Sequence, residues 1–307
     1  MSSIVKVVLT PPRVEFVREL VRECEDACSL VLELPQVESL KPYLEDRATV
    51  DDVLSELELD YPLFLRELLR AAKRLHSSGV EVLALDPYQE IAVNIKMRLF
   101  LKKGLEQLER DYTARYIAML ELNIGKILSQ YYSTPREEFD RLVDLTIRYA
   151  KFDAERLRMK SEFRARKIAE LVERGKLKLP AVIHASFMNT IFPSTLARKL
   201  EAHETKQVDL YSKVSRRLFN VELTHPGREL TRIFLEHTTR DQDKIRLLAA
   251  QTLIMVSLYP KSEVIPKTDS DYPLLRKDYE IITGVLSSLD TYEKCREYYF
   301  KNIINKR

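Results

Sequence analysis

The chain has few glycines: 6 in 307 residues, where an average globular protein of this length carries roughly 20. Loops that bring backbone amides up to a phosphate or an oxyanion need residues without a Cβ. Gly79, Gly104, Gly125, Gly175, Gly227 and Gly284 each stand alone, so a dinucleotide fingerprint, a P-loop and a nucleophile elbow are all excluded. Three cysteines cannot build a disulfide framework. Cys24 and Cys28 sit four apart with no second pair or histidine nearby in sequence, which reads as buried packing rather than a metal site. The longest apolar stretch, LLAAQTLIMVSL at 247–258, falls short of the roughly 20 residues that span a bilayer. The opening MSSIVKVVLT is too short to be a secretory signal, so a cytoplasmic protein is expected. Tryptophan is absent and Lys, Arg and Glu are abundant, a thermophile-like composition.

What is present is 45% hydrophobic and 32% charged, with a net charge of only +3, a globular balance that neither demands nor excludes nucleic acid. The first 86 residues alternate strand and helix. Ile4 to Thr10 is a compact apolar run closed by Pro11 and Pro12; a helix follows with Val14, Val17, Val21, Cys24 and Cys28 on one face. LVLEL at 30–34 is a second strand, stopped by Pro35. A helix carrying Leu65, Leu68, Leu69, Ala72 and Leu75 ends near Gly79, and Val80 to Leu85 is a third strand closed by Asp86 and Pro87. Continuous apolar strands separated by helices predict an α/β fold: a largely parallel sheet with helices on both faces.

Residues 89–174 read as a large helical insertion, with a cap-and-start signal at Ser133, Thr134 and Pro135. The strand and helix alternation resumes at LKLPAVIHAS, a fourth strand, then a helix from Pro193 through Leu200 and a fifth strand at Gln207 to Val214. The expected domains are 1–220, α/β with its insertion, and 221–307, a helical C-terminal region in which 229–260 reads as helical, followed by a loop around 260–273 and two more helices.

Ligands of parallel sheets bind beyond the carboxyl ends of the strands. The strands deliver Thr10, Glu33, Asp86 and His184 with Ala185 and Ser186 to that edge. Two carboxylates and an imidazole there could hold a divalent ion or act as acid and base, or Glu33 could be tied to an arginine and His184 hydrogen-bonded in the core.

Four segments resemble the TraB/GumN group, whose superfamily includes the Tiki proteases, the erythromycin-esterase-like enzymes and the haem-binding ChaN proteins. SLVLELP resembles its second strand, giving Glu33 the role of that strand's glutamate, and VEVLALDP its strand ending in aspartate, here Asp86. RARKIAELV is similar to the helix motif Arg-Asp-Arg-x-Met-Ala-x-x-Ile through Arg164, Arg166 and Ala169, and AVIHASF stands where the group has an apolar strand ending in Gly-Ala-Gly-His. The resemblance implies a metal-dependent hydrolase scaffold, and the departures remove its chemistry. Ala165 replaces the helix aspartate and Phe187 the strand histidine, while Leu9 to Pro12 stand where a first-strand Gly and His belong. Phenylalanine neither ligates a metal nor moves a proton. His184 precedes Phe187 by three residues, so it does not take that histidine's place. The resulting expectation is a catalytically degenerate TraB-like protein acting as a binding or interaction module, with Glu33, Asp86, His184 and Arg164 in one neighbourhood and neither metal nor cofactor.

Two alternatives accompany it. A nucleic-acid or ribonucleoprotein-binding protein would use Arg158, Lys160, Arg164, Arg166 and Lys167 on one basic helix, although interleaved acids also fit an exposed ion-paired face. A metal-dependent hydrolase with a rearranged site is the other. The extra helices and tyrosine-rich ends suit a protein partner or a homo-oligomer. His203, His225 and His237 lack ligand spacing.

Overall fold

A computed structural model describes residues 4–57, 60–101, 106, 110–260 and 262–305. Gly104, Lys261 and the last two residues of the basic tail lie outside that set. The chain divides into two compact units. The first comprises Met1–Glu90, Met159–Glu222 and Ser262–Leu274; the second comprises Ile91–Arg158, Leu223–Lys261 and Leu275–Arg307.

The first unit holds five strands: β1 (Ile4–Thr10), β2 (Ser29–Leu32), β3 (Glu81–Ala84), β4 (Ala181–Ser186) and β5 (Glu204–Asp209). They form one sheet in the order β3-β2-β4-β1-β5, and every pairing is parallel. The fold is therefore α/β, as the strand and helix alternation requires. β-Branched residues dominate β1, and Val5, Val7 and Val8 are wholly buried. Central β4 is buried through Ala185, whereas edge strand β5 is polar and carries Glu204 and Lys206 outward, charges that discourage further strand pairing.

Around the sheet lie α1 (Val17–Glu23), α2 (Leu40–Leu44), α3 (Val50–Ser55) and α4 (Pro62–Ser77). Helices α5 (Pro87–Leu101), α6 (Tyr112–Ser133) and α7 (Phe139–Glu173) follow β3, then α8 (Phe192–Lys199) and α9 (Leu210–Phe219) follow β4 and β5. Gly79 and Gly175 take φ of 99° and 62° just past the ends of α4 and α7, the left-handed turn that a Cβ resists.

Four expectations shift. The fifth strand ends at Asp209, whose carboxylate accepts from the Ser212 amide and starts α9 where alternation through Val214 suggested strand. Thr134 is a C-cap rather than a start signal, its hydroxyl donating to the Gln130 carbonyl, and α7 begins only at Phe139. The face of α1 buried in the core is Phe16, Val17, Leu20 and Cys24, with a 3-10 turn at Val14–Phe16 replacing the helix's expected first turn. The helical stretch 229–260 is two helices, α10 (Pro226–Glu236) and α11 (Gln242–Leu258), broken at His237, where φ is 52°.

The second unit closes with α12 (Pro273–Gly284) and α13 (Tyr292–Tyr299). Its core gathers Phe139, Leu142 and Val143 of α7 with Leu230, Ile233, Ala249, Leu253, Ile281 and Tyr299. Residues of the 89–174 insertion thus share one core with residues beyond 221, which the sequence reading assigned to a separate region.

Candidate functional site at the strand ends

Strand order makes a topological switch. The crossovers leaving β1 and β2 run toward the β3 edge, and the one leaving β4 runs toward β5. Right-handed crossovers in opposite directions place their helices on opposite faces, opening a crevice beside β4 at the carboxyl edge. Glu33, Asp86 and His184 are all delivered there: Val31 pairs with Ile183, so Glu33 leaves β2 beside the end of β4.

Helix α7 supplies the opposite charges. Lys160 and Arg164 are four apart, hence on one face. The Lys160 ammonium lies 2.8 Å from Glu33 Oε1 and 2.9 Å from Asp86 Oδ2. Arg164 Nη1 lies 3.5 Å from Glu33 Oε2, while its Nε donates to the Leu85 carbonyl at 2.8 Å and its Nη2 to that of Val31 at 3.4 Å. The Ser186 amide donates to Glu33 Oε2 at 2.6 Å. Asp86 Oδ1 accepts from the Gln89 amide at 3.1 Å, and with Pro87 behind it fixes the start of α5.

The four residues expected to converge do converge. His184 Nδ1 accepts from the Glu33 amide at 3.4 Å, which puts the ring proton on Nε2. That Nε2 is buried without a hydrogen-bond partner among the described residues, and the Phe64 ring centroid lies 6.3 Å from the imidazole. Burial, with help from Arg164 and Lys160 and against Glu33, pushes the imidazole down to about 4, so it is neutral near neutral pH. Burial alone would raise the Glu33 carboxyl, but Lys160 and Arg164 outweigh it and hold it well below the usual carboxylate range. Reciprocally, Asp86 and Glu33 hold the Lys160 ammonium charged despite its burial.

The arrangement is chemically closed. Both Glu33 oxygens are engaged by the chain's own cations and amide, the pairs carry two charges of each sign, and Lys160 is held in its protonated, non-nucleophilic form. The divalent ion that the TraB resemblance implies does not fit these residues. Among the described residues no three His, Cys, Asp or Glu side chains approach as a metal-holding group. Phe187 is buried and packs its ring 5.8 Å from that of Tyr211, and Thr10 is buried at the end of β1, its carbonyl accepting from the Phe187 amide at 3.2 Å.

The basic set proposed for nucleic acid separates. Lys160 and Arg164 are consumed in the buried cluster. Arg158 pairs with Glu155 and donates to the Phe234 and Leu235 carbonyls at the end of α10, satisfying a helix C-terminus. Arg166 and Lys167 remain exposed, Lys167 pairing with Glu170 at 3.3 Å. Of the cysteines, Cys24 and Cys295 are buried, their thiols pushed up to about 12 by burial. His225 is the N-cap of α10, and His237 Nε2 lies 2.8 Å from Arg158.

A second buried charge escaped the sequence reading. Glu19 on α1 pairs with Arg22 and, at 2.8 Å, with Arg217 of α9; it also accepts from the Tyr272 hydroxyl. Burial opposes ionisation there, but Arg217 and Tyr272 hold the carboxyl down to about 2. Arg18 stacks 4.1 Å from the Tyr272 centroid and donates to the Thr268 and Asp271 carbonyls, so this cluster pins the 262–274 segment within the first unit. The sequence marks Glu19 only as one acid among basic neighbours.

Among the described residues no helix is long and apolar enough to cross a membrane. No family model and no solved structure matches the chain. It is similar to an uncharacterized protein of Archaeoglobus fulgidus, 30% identical over 296 residues that cover 96% of this chain and 98% of that one. Likeness at that level along almost the whole of both chains makes them one family, and this chain belongs to it.

Proposed function

We propose that the protein is a TraB-like scaffold without hydrolytic chemistry, working in the cytoplasm as an interaction module. The observation that carries this reading is Glu33: its Oε1 faces Lys160 and its Oε2 faces Arg164 and the Ser186 amide. A metal or a substrate proton would have to displace the chain's own cations from that carboxylate, and uncovering it would strand buried cations. The cluster acts instead as an internal tie that joins β2, β3, β4 and α7. Free cysteines fit a reducing compartment.

The test is elemental analysis of the purified chain together with ester and peptide hydrolysis assays with added divalent metals. Metal well below one equivalent and no turnover are expected. A stoichiometric divalent ion that disappears in Glu33→Gln together with turnover would replace this reading with a hydrolase.

A further inference from the structure

Helix α4 begins without a cap of its own. Its N-cap residue Tyr61 makes no side-chain hydrogen bond to the helix, and Pro62 at the first position has no amide to donate. The next two amides, of Leu63 and Phe64, both donate at 2.8 Å to the carboxylate of Glu263, which lies 200 and 199 residues further along the chain. A carboxylate there satisfies two orphan donors and suits the positive end of the helix dipole. Phe64 carries the contact inward: it is buried, and its ring centroid lies 6.3 Å from the imidazole of His184, whose Nε2 is without a partner among the described residues.

Glu263 belongs to a segment held unequally at its two ends. No residue from 262 to 271 is buried, and Ile265 is 61% exposed. The later end is tied down by several groups. Arg18 donates to the Thr268 and Asp271 carbonyls, the buried Tyr272 donates to Glu19, and the Leu274 amide donates to Glu15 at 3.0 Å. The earlier end has the half-buried Glu263. A stretch with so little buried apolar surface opens ahead of the core, and it opens from its weaker end.

We propose that 262–267 is a strap, hinged at the anchors from Thr268 to Leu274 and latched by Glu263, whose opening releases the first turn of α4 and lets solvent reach His184. The inference goes beyond the interaction-module reading and does not depend on it. Unlatching strips the cap from α4, so the turn that holds Phe64 against the imidazole loses its hold.

Hydrogen exchange and diethyl pyrocarbonate modification of the full chain, both read by peptide mapping, test it. Glu263→Ala is expected to speed exchange at the Leu63 and Phe64 amides, and modification of His184, by about 10-fold, the effect of losing a helix cap. Exchange across β1 and β4 and at the Leu274 amide stays at the wild-type rate. Glu263→Gln keeps an acceptor oxygen and falls between. An unchanged rate at His184 in Glu263→Ala overturns the strap, and so does faster exchange across β1 and β4 to the same degree as at α4, because the latch would then be part of the global fold.

Discussion

The ammonium of Lys160 lies 2.8 Å from Glu33 Oε1 and 2.9 Å from Asp86 Oδ2, so one lysine bridges the acids at the ends of two strands. Removing it leaves two buried carboxylates facing Arg164 alone, and breaking such a pair from one side costs about 3–5 kcal/mol. Lys160→Met should lower stability by that order in urea denaturation, whereas Arg166→Met, two residues beyond Arg164 and exposed, should leave the midpoint unmoved. Adding Glu33→Gln to Lys160→Met should recover part of the loss, because the stranded charge is then gone. A loss below about 1 kcal/mol for Lys160→Met would mean that water reaches the cluster.

The same burial explains why the basic stretch is a poor reporter of nucleic-acid binding. Changing Arg158, Arg164 and Arg166 together to glutamine removes the partners of Glu33 and of the α10 carbonyls. The triple variant should unfold well below the wild-type midpoint in a thermal melt, with no separate binding phenotype. Arg166→Gln with Lys167→Gln tests the exposed cations without that penalty. No salt-dependent RNA retention is expected from either the wild type or this double variant in a mobility assay.

How much of this was legible in the residues follows from punctuation. Pro35 and Pro87 stop apolar runs beside acids, so Glu33 and Asp86 could be placed at strand ends, and parallel strands then had to bring them to one edge. Arg164 came from its place on the helix before β4. Lys160 went to the wrong set, because nothing local separates a lysine that turns inward from its neighbours. Only the four-residue spacing to Arg164 carried that signal. The fifth strand slipped because ETKQVD is polar and exposed at the sheet edge, while the Asp209 cap that ends it acts through one side chain. The break at His237 has neither glycine nor proline to announce it.

Tyr272 offers a test of the second cluster. Its hydroxyl donates to the buried Glu19 carboxylate, and its ring carries the Arg18 guanidinium. Tyr272→Phe keeps the ring and removes a hydrogen bond to a charged group, worth roughly 1.5–3 kcal/mol. The loss should appear first as faster proteolysis within 262–271, with the sheet still protected in hydrogen exchange. Uniform loss of protection across both the segment and β1 would show that the segment does not open on its own.

His184 sets the response to acid. In the unfolded chain the imidazole titrates near 6.5, and in the fold burial pushes it down to about 4. The unfolded state therefore binds the proton first as pH falls. The contribution is fully present above 6.5 and is lost progressively between 6.5 and 4, amounting to about 3 kcal/mol. Glu33, held low by Lys160 and Arg164, adds a further loss with the same sign, but only below the ordinary carboxylate range. The two are separable by pH. His184→Leu should flatten the stability profile between pH 6.5 and 4.5 while leaving the steeper fall below 4 in place, measured by urea midpoints at half-unit steps. Lys160 and Arg164 face the imidazole from α7 and Phe64 from α4, and none of these titrates in that window. A wild-type profile already flat from 6.5 to 4.5 would show that the protonated imidazole is accepted inside the fold, and that Glu33 and not burial governs His184.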